Sequence, residues 1–225
     1  MDKGSTMIKR MIIVYFSGFL LLSAQSLTID PSVYKILDDI SANQLETSVT
    51  KLVNFGTRHS LSDTVSNTRG IGAARRWIKN EFEKISNDCG GCLEVEEQWS
   101  LAKGNPKSRI KKDTWIVNIY AVKRGTIYPN RYVIMSGDID SRISDPLDGK
   151  GDSPGANDNA TGMAGAIELA RVLSKHDFPT SIILAGLSGE EQGLFGGKFL
   201  AEKAITEGWE IIGVLNNDMI GNIEG

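Results

Sequence analysis

Residues 162–188 read "GMAGAIELARVLSKHDFPTSIILAGLS", and this stretch decides the fold. The first half has the apolar spacing of a helix. The second, "TSIILAGLS", is a short unbroken apolar run of the kind found in a strand buried on both faces. The same alternation extends in both directions. "RYVIMSG" (131–137) reads as a strand before it; "GGKFLAEKAITEG" (196–208) and "EIIGVLNNDMIG" (210–221) read as a helix and a strand after it. Strands alternating with helices imply βαβ units and a parallel sheet. Upstream, "CLEVEEQWS" (92–100) and "TWIVNIYAVKRG" (114–125) are predicted to be antiparallel neighbours, because "AKGNPKSRIKK" between them is turn-like.

Three helices are predicted earlier, over 31–41, 42–56 and 69–86. The second places Leu45, Val49, Leu52 and Val53 on one side. The third repeats Ile71, Ala74, Trp77, Ile78 and Phe82 at helical spacing. The expected class is therefore α/β, a mixed sheet flanked by helices.

At 225 residues, with 40% hydrophobic and 24% charged residues, the chain is long enough for one domain with a substantial core. A net charge of −3 and the lack of a basic tract argue against a nucleic-acid surface. The N-terminus differs in character. Lys9 and Arg10 precede "MIIVYFSGFLLL", and "SAQS" follows, which is the pattern of a secretory signal over 1–26. The apolar run is short for a membrane span, which needs about 20 residues; the alternative is an uncleaved anchor. With cleavage, residues 27–225 form the mature domain, exported to a periplasm or the extracellular space with no stable membrane anchor. Cys89 and Cys92, in "CGGC", are the only cysteines. A helical pattern precedes them and a strand follows, opposite to the order of a redox motif, so a small loop disulfide is expected.

The acidic residues fall at particular places on this frame. Asp138 and Asp140, in "SGDIDSR" (136–142), follow one strand; Glu190 and Glu191, in "GEEQGLFGG", follow another; Asp218, in "NNDMIG", ends a third. Asp158, in "PGANDNATG", precedes a helix. The carboxyl edge of a parallel sheet is where ligands bind. Carboxylates converging there repel one another unless a cation lies among them.

With "NFGTRHS" and "GIGAARRWI", these motifs resemble the secreted zinc exopeptidase family that includes bacterial leucyl aminopeptidases, glutamate carboxypeptidase II and the glutaminyl cyclases. The resemblance covers about residues 40–225. It implies a phosphorylase/hydrolase-like three-layer sandwich holding two zinc ions. By the same resemblance Asp158 bridges both metals, Glu191 and Asp218 each bind one, and Glu190 is the general base toward a metal-activated water. Asp140 is the acid that orients the first ligand, and a cis peptide follows Asp158. The implied substrate is a peptide, hydrolysed most simply from its N-terminus.

Two departures stand out. The family pattern has His where this chain has Asp138, and its last ligand is a second His further along than residue 225. That makes the domain incomplete at its C-terminus as an expectation. His59 and His176 are the only histidines, and their positions suit surface or structural roles. Asp138 remains a competent ligand, since carboxylate oxygens bind zinc. An all-oxygen set is expected to tolerate Mn²⁺ or Mg²⁺. Two other readings stay open: glutaminyl-cyclase-like acyl transfer, and a non-catalytic peptidase-like binding domain. Oligomeric state is not legible.

Overall fold

The computed structural model describes residues 30–222. The signal segment expected over 1–26 lies outside them. Helix α1 (Pro31–Asp38) has no buried residue and belongs to the first of two units into which the chain divides. The second unit begins at Asp39 and holds helices α2 (Ala42–Val53), α3 (Gly70–Asp88), α4 (Gly162–Leu173) and α5 (Phe195–Glu207). Its strands are β1 (Glu94–Ala102), β2 (Thr114–Lys123), β3 (Tyr128–Asp138), β4 (Thr180–Leu187) and β5 (Glu210–Asn217).

The strands form one sheet in the order β1-β2-β4-β3-β5. β1 pairs with β2 antiparallel, as the turn-like connection predicted, and β2 pairs with β4 antiparallel. β4, β3 and β5 run parallel. The alternation of side chains along β2 divides the core between two faces. Tyr120 and Val122 join Tyr132, Ile134, Ile183 and Leu200 beneath α5. Val117 and Ile119 look toward α3 on the other face. Helices α3 and α4 pack on that second face, with α2 against α4, so the sheet is the middle of three layers.

Local chemistry explains the element boundaries. Ser41 caps α2, its Oγ accepting the Gln44 amide at 3.3 Å. Of the four apolar residues expected inward on this helix, only Leu52 is fully buried; Leu45, Val49 and Val53 are half-covered. All but Trp77 of the five on α3 are buried. The "CGGC" loop follows α3 with Cys89 and Cys92 joined in a disulfide. Gly137 lets the tip of β3 touch the start of α4: a Cβ there would lie 2.3 Å from the Gly162 carbonyl carbon. That approach brings Asp138 beside the turn carrying Asp158. Among the described residues no helix is long and apolar enough to cross a membrane.

Candidate active site

Asp138 is the last residue of β3 and is buried. Its Oδ2 accepts a hydrogen bond from Asn159 Nδ2 at 3.0 Å. Burial pushes its pKa up to about 7, helped by Asp140, Glu190 and Asp218 and opposed by the Asn159 bond. Asp140, two residues on, is almost fully buried. It accepts hydrogen bonds from Ser60 Oγ at 2.9 Å and from the amides of Glu190 and Glu191 at 3.2 Å each. Sequence reasoning assigned Asp140 to orienting the residue at 138. Its hydrogen bonds come from Ser60 and the Glu190–Glu191 turn, and a carboxylate at 138 has no N–H to offer it, as expected for Asp in place of His. Burial raises the Asp140 pKa, against the pull of these donors.

Glu190 and Glu191 follow β4 on the turn that Asp140 grips. Glu190 is partly open to the cleft, and burial, then Asp140, Glu191, Asp218 and Asp158, lift its pKa to about 7. Glu191 is buried and raised chiefly by burial, with Arg142 pulling it back. Arg142 Nε sits 2.5 Å from Glu191 Oε2, so the glutamate expected to bind metal is held here by an arginine.

Asp158 is exposed in the irregular helical turn Ala156–Thr161 that leads into α4, and the Asp158–Asn159 peptide is cis. Asp218 follows β5 and is also exposed. A cleft of ≈ 550 Å³ is lined by Asp138, Glu190 and Asp218, with Leu194 and Val214 as apolar wall and Lys198 at its side.

Three residues that build the site were missed. Asn159 is buried and ties three segments: Nδ2 donates to Asp138 and to the Asn217 carbonyl at 2.9 Å, and Oδ1 accepts the amides of Gly162 and Met219. Arg58, also buried, donates to the carbonyls of Leu52, Ile139, Pro154 and Gly155, clamping the loop that delivers Asp158. Arg142 is the third. Arg58 and Arg142 lie inside motifs already quoted, "NFGTRHS" and "SGDIDSR", but their partners are distant in sequence. His59 is fully buried. Its ring engages Pro146 O and Gln192 Nε2, both at 3.1 Å, and accepts the Leu61 amide. It is therefore structural, as one of the two expected roles had it. His176 lies past the end of α4, half-buried.

The donor chemistry suits a divalent cation. The cluster is all oxygen, and Asp138, Glu190 and Glu191 are each pushed toward protonation by burial and by neighbouring carboxylates, a push that a cation reverses. Among the described residues no three His, Cys, Asp or Glu side chains stand close enough to form a ready-made cage.

The fold is a mixed α/β sheet with an acidic cluster at its carboxyl edge, where ligands of such sheets bind. Residues 118–224 match the model of Peptidase family M28. A probable zinc metalloprotease of Pyrenophora teres f. teres is 43% identical over 196 residues, covering 87% of this chain and 40% of that protein. One of Leptosphaeria maculans is 42% identical over 196 residues, covering 87% and 45%. The chain thus spans less than half the length of these curated relatives. Among solved structures, LapB of Legionella pneumophila superposes with a TM-score of 0.64 at 18% identity, covering 87% of this chain and 48% of that one. Porphyromonas gingivalis glutaminyl cyclase superposes at 0.60 and 22%, covering 80% and 60%. Both share the fold.

Proposed function

We propose that this chain carries the acidic half of a zinc-dependent exopeptidase centre, most simply that of an aminopeptidase. The observation that carries the reading is Glu190: a carboxylate on a turn gripped by Asp140, facing the cleft, with its pKa near 7. A group poised there can take a proton at neutral pH and return it. Asp138, Asp158, Glu191 and Asp218 would hold the metal. When bound, zinc supplies a Lewis acid for the scissile carbonyl and favours deprotonation of water. Glu190 then accepts the proton of the attacking water and passes it to the leaving amine. Asp140 keeps the Glu190 backbone in place, and Leu194 and Val214 give the substrate side chain an apolar wall.

Homology to zinc metalloproteases supports the metal and the hydrolytic class. Export belongs to the same proposal, supported by the signal-like N-terminus and the Cys89–Cys92 disulfide. The test is hydrolysis of aminoacyl-4-nitroanilides with and without zinc. Glu190→Gln is expected to lower kcat by about 10²–10⁴-fold while zinc affinity stays within a few fold. Zinc-independent turnover, or an active Glu190→Gln variant, contradicts the assignment.

A further inference from the structure

On the face of the sheet opposite α5 lies a second cavity, of ≈ 400 Å³, which shares no residue with the acidic cleft. Arg75 of α3 lines it at 7% exposure. Among the described residues its one hydrogen bond is from Nε to Ser188 Oγ at 3.3 Å, and the enclosed Nη2 has no partner. Burial lowers its pKa to about 10, which leaves it charged at neutral pH. Asp140 and Glu97 act on it only at longer range, and both have other partners. Asp140 is engaged by Ser60 and two amides, and Glu97 by Lys79 Nζ at 3.1 Å and Trp99 Nε1 at 2.9 Å. Arg76, also on the lining, bonds only to backbone carbonyls. The cavity lining is therefore net positive, with a guanidinium at its wall that is only partly hydrogen-bonded and has no carboxylate in contact.

The lining is also aromatic. Trp99 and Trp115 stand edge to face with centroids 6.3 Å apart. They are 59% and 53% exposed, against the usual tendency of Trp to be covered. Val117 and Ile119 of β2 complete the apolar side. A buried cation without a contacting anion is costly, and a carboxylate that accepts its free N–H groups relieves that cost.

We propose that this cavity binds a small aromatic carboxylate, with its carboxylate on Arg75 and its ring against Trp99 and Trp115. The site uses none of the proposed metal ligands and does not depend on peptidase activity.

Calorimetry on the full chain with 3-phenylpropionate, in chelator so that no metal competes for the carboxylate, tests it. Saturable binding is expected, with 3-phenylpropionamide at least about tenfold weaker. Trp99→Ala and Trp115→Ala, both at exposed positions, are each expected to weaken the acid about fivefold or more. Arg75→Met should erase the preference for acid over amide. If that variant does not fold, the amide comparison and the tryptophan variants decide. No saturation by about 10 mM, equal affinity for acid and amide, or wild-type affinity in both tryptophan variants each overturn the proposal.

Discussion

Asn159 receives none of the chemistry, yet it holds the tips of β3 and β5 to the start of α4 through both ends of its amide. Replacing it by alanine leaves buried donors and acceptors unmatched, which costs about 2–4 kcal/mol. Asn159→Ala should therefore lower the urea midpoint clearly, and a midpoint within error of wild type would show that the site is not tied this way. At Asp138 the question is selectivity. An oxygen donor there, where relatives of the resembling family carry nitrogen, should let Mn²⁺ bind within about tenfold of Zn²⁺. Asp138→His should widen that ratio in favour of zinc, read by competition calorimetry; an unchanged ratio would mean residue 138 does not touch the ion. The acidic positions were legible because each sits beside a glycine-rich or strand-ending motif. Asn159, Arg58 and Arg142 were not, because the groups they bond come together only through strand order.

At the scale of elements, β5 is the exposed margin of the sheet. It pairs with β3 on one side, and among the described residues no strand pairs with its other edge. Ile212 and Val214 are 53% and 58% exposed. Such an edge offers its free backbone N–H and C=O groups to a further strand. The β4–α5 connection shows the opposite case, an element end made rigid, because Asp140 accepts two consecutive amides of its turn.

For the molecule as a whole, the acidic cluster sets a pH dependence. Asp138 and Glu190 titrate near 7 in the folded chain, against ordinary values of 3.8 and 4.5. Without metal, the folded state holds protons that the unfolded chain releases on the way up from the ordinary values. Stability therefore falls as pH rises toward 7 and stays low above it. In chelator, Tm at pH 5 should exceed Tm at pH 8 by about 5 °C or more. Added zinc should recover much of the loss at pH 8, since it binds the folded state. A Tm that is flat or rising over this range would show that the carboxylates are not coupled as the structure places them.

Helical and strand periodicities determined the class of fold, the antiparallel β1–β2 pair and the parallel run that follows. Motif spacing marked Asp138, Asp140, Asp158, Glu190, Glu191 and Asp218. These follow from the sequence because backbone period and loop chemistry are local. Tertiary structure decided the rest: that β4 lies between β2 and β3, that Asp140 serves the glutamate turn, that Arg142 holds Glu191, and that Arg75 is buried without a contacting carboxylate in a cavity shared with two exposed tryptophans. Those outcomes depend on which distant segments share a sheet edge or a face, and on how desolvation then sets the charge of each group.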